Sequence, residues 1–183
     1  MVQLLIRLRL RRAPKVTPSQ HLDQAVAAAL LCPHGEERAQ VIREAFEWYG
    51  TPWCHENRNK GKGVDCGNYL PQPFAKFGFI EEPELFRYPH DFYKHSGRQI
   101  FRDIIERFCE PIGRLKGMPG DIWGIQFGPK TPQVCHAGFF LDFPNVIHAR
   151  GGAYSSDGAV ELGAMKGVML KMWSGTWRLR RWM

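Results

Sequence analysis

"VCHAGFFLDFPNVIHAR", residues 134–150, holds two β-rich runs on either side of Asp142-Phe143-Pro144-Asn145. Aromatic and β-branched residues favour strands, and Asp, Pro and Asn punctuate turns, so the stretch reads as an antiparallel hairpin. Each arm carries one histidine, His136 and His148, which the hairpin sets on neighbouring strands. Further short β-rich runs surround it: "GDIWGIQF" before, "AVELGAMKGVMLKMW" and "TWRLRRWM" after. The C-terminal part is therefore strand-rich, with meander-like spacing.

The N-terminal part is helical. "TPSQHLDQAVAAALL" opens with Thr17 as N-cap, Pro18 at the first helical position and Gln20 completing a capping box, with Leu22, Val26, Ala29 and Leu30 on one face. A second helix runs from Glu36 to Tyr49, its apolar face made by Ala39, Ile42, Phe46 and Tyr49, with Gly50 as C-cap and Pro52 beyond. Residues 51–64 read as a loop. "RQIFRDIIERFCEPIG" is a third helix, with Ile100, Ile104 and Phe108 one turn apart and Pro111 stopping it. Helices first and strands second make the fold α+β, with N-terminal helices packed on a C-terminal antiparallel β-sheet.

The bulk numbers suit one domain. Of 183 residues 44% are hydrophobic, with 6 Trp and 12 Phe to build a core. No window approaches the roughly 18 apolar residues of a membrane span. In "MVQLLIRLRLRR" the apolar run is interrupted by Arg7 and Arg9 with no small-residue cleavage site, so it is read as a strand over residues 2–10 and not as a signal peptide. The net charge of +7 favours anionic partners: nucleic acid, acidic lipid or a cell-wall polymer. Basic residues gather in the end strips "RLRLRR" and "WRLRRW". These suit single-stranded nucleic acid, but edge strands with solvated basic faces explain them equally, and the reading does not extend to nucleic acid. The cysteines, Cys32, Cys54, Cys66, Cys109 and Cys135, are odd in number without a CxxC pair, which suggests a reducing compartment at synthesis. The pairs Cys54-His55 and Cys135-His136 invite a zinc alternative with Cys66. Neighbours on a strand point to opposite faces, however, and metal-ligand spacing is missing, so zinc is not expected.

"GVDCGNYL", residues 63–70, puts Cys66 just after Asp65, at the start of a helix. There a thiol loses its proton more easily, and an imidazolium beside it lowers the thiol pKa further, to about 3.5–7.5. Cys66, His136 and His148 fit a thiol hydrolase: a nucleophile, a base that takes its proton, and a group that orients the base. The Cys66 N–H would help to hold an oxyanion. Asp65 reads as a helix cap rather than a catalytic acid, His55 as a groove residue or an exposed loop histidine, and Trp53 as a core anchor or a site residue. The other four cysteines are read as structural thiols.

The series "GTPWCHENRNKGKGVDCGNYL", "PGDIWGIQF", "CHAGFFLDF" and "NVIHA" resembles the NlpC family (NlpC and P-sixty) of cell-wall cysteine peptidases over about residues 38 to 150. The loop from Trp53 to Cys66 and "YPHDFYKHSG" resemble its bacteriophage or prophage tail branch. The resemblance implies a papain-like domain over 36–183 behind an N-terminal extension, 1–35. It also implies Cys66 as nucleophile, His136 as base and His148 as orienting group, with Trp53, His55 and Asp65 as substrate or oxyanion residues. The substrate it implies is a peptidoglycan stem peptide cut at a D-glutamyl–diamino-acid bond. The protein would be made in the cytoplasm without a signal peptide and act at the wall as part of a tail. The alternative is an inactive tail-tip structural or wall-binding protein. Gly67-Asn68 departs from the common Ser-Gly, and two further departures favour that alternative: Pro71 and Pro73 in the helix after Cys66, and Trp53 where the family has a tyrosine.

Overall fold

The computed structural model describes residues 16–92, 99–127, 133–151 and 157–183. The strand expected at 2–10 lies outside them, as do parts of "YPHDFYKHSG". Helix α1 (Pro18–Leu30) begins with the capping box: Gln20 N–H donates to Thr17 Oγ1 at 3.3 Å and Thr17 N–H to Gln20 Oε1 at 2.8 Å. Ala25 and Ala29 are its buried residues, and their small side chains let α2 (Gly35–Glu47) pack closely alongside. Leu30, expected on that face, is 44% exposed, because it lies about 100° round the helix from Ala29. In α2, Ala39, Val41, Ile42 and Ala45 are buried. Tyr49, expected to continue the stripe, is exposed: the helix ends at Glu47, and Gly50, at φ 78°, turns the chain away.

The loop to Cys66 contains a small ribbon, β1 (Arg58–Asn59) with β2 (Gly63–Val64). After it come two one-turn helices, α3 (Cys66–Tyr69) and α4 (Gln72–Ala75). Pro71 is the N-cap of α4 and Pro73 lies in its first turn, so each proline occupies a position that needs no backbone donor. The helix that begins at Cys66 is thus divided where a single helix would have been kinked.

Helix α5 (Ile100–Ile105) is shorter than expected, and Cys109–Gly113 is strand β3, not its last turn. Pro111 is tolerated because β3 is the sheet edge. Strands β4 (Ile122–Ile125), β5 (His136–Asp142), β6 (Asn145–Arg150), β7 (Ala159–Ala164) and β8 (Trp173–Leu179) complete a six-stranded sheet in the order β3-β8-β4-β5-β6-β7. Every neighbouring pair is antiparallel. The second half of "AVELGAMKGVMLKMW", expected as strand, is helix α6 (Val168–Met172), entered through Gly167 at φ 56°. Met, Leu and Lys are good helix formers, and a short apolar run does not distinguish helix from strand by periodicity.

Period-two alternation divides the core between the sheet's faces. Ile122, Ala137, Phe139, Leu141, Ile147 and Ala149 meet Tyr69, Leu70, Phe74 and Phe101 on the helix side. Trp123, Phe140 and Val146 face Met165, Trp173 and α6 on the other. The C-terminal basic strip is not an edge: β8 is interior, between β3 and β4. Its arginines are paired, Arg178 with Asp121, Arg180 with Glu110 and Arg181 with Glu37. Asp121, from the Pro-Gly-Asp turn, is fully buried, and it also receives Arg38 Nη1 at 2.9 Å and Met118 N–H at 2.9 Å. The Arg38 guanidinium lies 4.3 Å over the Trp182 ring. This network joins α2, the turn and the C-terminus. Among the described residues no helix is long and apolar enough to cross a membrane.

Candidate active site

Cys66 opens α3, and Asp65 caps it: Asn68 N–H donates to Asp65 Oδ1 at 2.8 Å, and Glu56 N–H to Oδ2 at 2.7 Å. Asp65 is fully buried with its oxygens engaged by these groups, so its place is that of a cap holding the Cys66 turn. Asn68 makes a two-pronged bond with Phe86. Asn68 Nδ2 donates to Phe86 O at 3.0 Å, and Phe86 N–H donates to Asn68 Oδ1 at 2.8 Å. That clasp fixes the segment carrying Tyr88 and His90. A Cβ on Gly67 would stand 3.0 Å from the Tyr88 hydroxyl and ring. The unusual Gly67-Asn68 pair therefore makes room for this segment and ties it down.

His136, first residue of β5, and His148 of β6 meet as the hairpin requires: Nε2 of His136 is 2.7 Å from Nδ1 of His148. Trp123 stands edge-on to both imidazoles, with centroids 5.5 and 5.4 Å away. Gly138, between the two rings on β5, permits this; a Cβ there would be 2.6 Å from His148 Cβ and 2.5 Å from Ile147 O. Cys66, His136 and His148 line one cleft of about 300 Å³. The structure thus brings the three sequence-derived residues to one site. Among the described residues no hydrogen bond joins Cys66 Sγ to His136.

One bank of the cleft is aromatic: Trp53, His55, Tyr88 and His90. Trp53 lies parallel to His55 at 6.1 Å, and His55 meets Tyr88 edge-on at 5.2 Å. Trp53 packs against the core and also lines the cleft. His55 is a half-buried cleft residue with Nδ1 3.8 Å from Asp65 Oδ2. The other bank includes Phe127 and Met169, and Arg150 lies at the β6 end. Sequence reasoning missed Tyr88, Trp123 and Arg150. For Arg150 a signal existed, because it is two residues beyond His148 and shares its strand face. Among the described residues no three His, Cys, Asp or Glu side chains converge as a metal would require.

Burial governs the charges. It pushes the Cys66 thiol well up, and the Asp65 carboxylate adds to that, while the Tyr88 hydroxyl opposes it. Burial pulls His136 down to about 4, with the Arg150 charge acting in the same direction. His148 is lowered by burial, then by His136 and Arg150. These directions favour a neutral thiol and neutral imidazoles over the thiolate–imidazolium pair expected from sequence. A four-residue helix has too little dipole to lower a buried thiol.

No family model matches the chain, and no curated protein matches its sequence. Solved structures do. An NlpC/P60 family protein from Bacillus cereus superposes with a TM-score of 0.54 at 17% identity, over 78% of this chain and 40% of that one. A lipoprotein-like NLP/P60 protein from Staphylococcus aureus gives 0.52 at 17% identity, over 79% and 41%. The fold is the NlpC/P60 fold. The chain spans about two fifths of the length of each of those two proteins. The NlpC/P60 domain of the peptidoglycan hydrolase SagA aligns over 78% of this chain and 98% of its own, with a TM-score of 0.46 and 15% identity.

Proposed function

We propose that this chain is a cysteine peptidase acting on peptidoglycan stem peptides. The observation that carries the reading is the 2.7 Å contact of His136 Nε2 with His148 Nδ1 in the cleft that Cys66 lines. If Nε2–H of His136 donates to His148, Nδ1 of His136 is left with a free lone pair, the acceptor a thiol proton needs. Cys66 Sγ attacks the peptide carbonyl as its proton passes to His136, so charge arises during the reaction and not before it. His148 stabilises the imidazolium by accepting its Nε2–H. His136 then returns the proton to the leaving amine, and water, deprotonated by His136, hydrolyses the thioester. Support for a cell-wall substrate comes from the motif series and the NlpC/P60 fold. The same motifs favour the D-glutamyl–diamino-acid bond and a phage or prophage tail protein working at the bacterial wall.

The test is clearing of a peptidoglycan suspension. Wild-type protein lowers turbidity and releases new amino termini, and Cys66→Ala does neither. Equal behaviour of the two proteins sinks the reading. The buried, neutral Cys66 favours a second reading, a tail-tip or wall-binding protein that keeps the fold without the chemistry. On that reading both proteins sediment with peptidoglycan and neither clears it.

A further inference from the structure

Arg150 ends β6 two residues after His148, and side chains at i and i+2 share one face of a strand. The Phe139–Ile147 pairing, continued along the two strands, sets Arg150 across from His136. Both arginine and histidines line the same cleft, whose remaining walls are largely aromatic and apolar: Trp53, Phe92, Ile125, Phe127 and Met169. Arg150 is therefore an exposed guanidinium at the rim of a mostly apolar cleft, on the strand that carries His148. It is held from outside by Glu161 on β7, which engages Nε. That leaves the Nη1 and Nη2 donors, the pair with which a guanidinium grips a carboxylate in a fork.

We propose that Arg150 is the carboxylate anchor of the cleft: it selects peptides that carry a free carboxylate next to the scissile amide and rejects the amidated form. This rests on the hydrolase reading of Cys66 and deepens it by naming what the cleft reads. The Arg150 charge disfavours protonation of both imidazoles. A carboxylate seated on it offsets that charge, so the right substrate also eases proton transfer to His136. A carboxamide of the same shape does neither, because it brings no charge to the guanidinium. Specificity and activation are then set by one contact.

The test uses two small alkylating reagents that differ in this one group, iodoacetate and iodoacetamide, with each cysteine mapped by mass spectrometry. The exposed Cys54 serves as internal reference. The iodoacetate-to-iodoacetamide rate ratio should be roughly tenfold higher at Cys66 than at Cys54, as expected for one charge-assisted contact. Arg150→Gln should bring it down to the Cys54 value, and Arg150→Lys should retain part of it. A ratio at Cys66 equal to that at Cys54, or unchanged in Arg150→Gln, overturns the anchor. Where Cys66 resists both reagents, calorimetry on Cys66→Ser protein decides, using L-Ala-γ-D-Glu-L-Lys and its isoglutamine counterpart: equal affinity, or no binding of the acid, overturns it. Failure of wild-type protein to clear peptidoglycan while the carboxylate preference persists removes the hydrolase reading alone.

Discussion

Gly138 is where the fold and the candidate chemistry compete for the same space, and Gly138→Ala makes the competition measurable. The added methyl would lie 2.5 Å from Ile147 O, 2.6 Å from His148 Cβ and 2.9 Å from the Trp123 ring. The first neighbour is backbone inside a sheet, so no rotamer change relieves it. Overpacking of this kind costs about 1–3 kcal/mol and sometimes more, while removing glycine from a strand returns roughly 0.5–1 kcal/mol. With a backbone atom in contact the upper end applies, for a net loss of about 2 kcal/mol, which lowers the melting temperature by about 4–8 °C in a chain of this size. Urea unfolding followed by Trp fluorescence gives the free energy, with an unchanged m-value showing that the unfolded state is not the cause. Gly163→Ala is the control: its methyl would meet His148 Nε2 at 3.0 Å and a Val146 methyl at 3.3 Å, both side-chain atoms. It should cost less stability while still disturbing His148. Gly138→Ala within 0.5 kcal/mol of wild type, or no more costly than Gly163→Ala, would refute the packing argument.

Three other outcomes are expected. Asp121→Asn leaves the buried Arg38 and its partner Arg178 without their shared carboxylate, and should cost on the order of 3–5 kcal/mol in unfolding free energy; a loss under 1 kcal/mol would mean that the network is incidental. His136, about 4 when folded and 6.5 as a free side chain, binds its proton more weakly in the native state. Its effect on stability is absent above pH 6.5 and grows as pH falls towards 4, to a loss of roughly 3 kcal/mol. Unfolding at pH 7, 5.5 and 4.5 should show this decline, and His136→Gln should flatten it; a parallel decline in the variant rules out the assignment. Tyr88→Phe removes the hydroxyl that counteracts the upward push on Cys66 and should slow iodoacetamide at Cys66 several-fold at pH 8.5 with the fold intact. An unchanged rate would show that the hydroxyl does not influence the thiol.

What the sequence disclosed was local. The Thr17 capping box, the Asp65 cap and the hairpin carrying His136 and His148 each depend on residues a few positions apart, and each is present. Features set by distant partners were not legible. Nothing near Trp177 indicates that β3 covers its outer side, so β8 read as an edge. Arg38 on α2 is buried because Asp121 and Trp182 meet it from much later in the chain. Tyr88 enters the site through the Asn68–Phe86 clasp, a pairing that leaves no periodic or spacing signal. For the Cys66 thiol, local sequence pointed to a helix start that eases loss of the proton, whereas burial by distant elements pushes the other way.

The clasp has a consequence for how the cleft can adapt. Because Asn68 is two residues from Cys66 and grips Phe86 with both ends of its amide, Cys66 and the Tyr88–His90 part of the aromatic bank are tied into one jaw. A jaw that cannot move without carrying the sulfur along is a fixed reference for the incoming chain. Any widening for a bulkier peptide must then come from the facing side, where Met169 sits on α6, a helix with no fully buried residue. The chemistry keeps its geometry, and the tolerance for different substrates resides in the opposite, softer jaw.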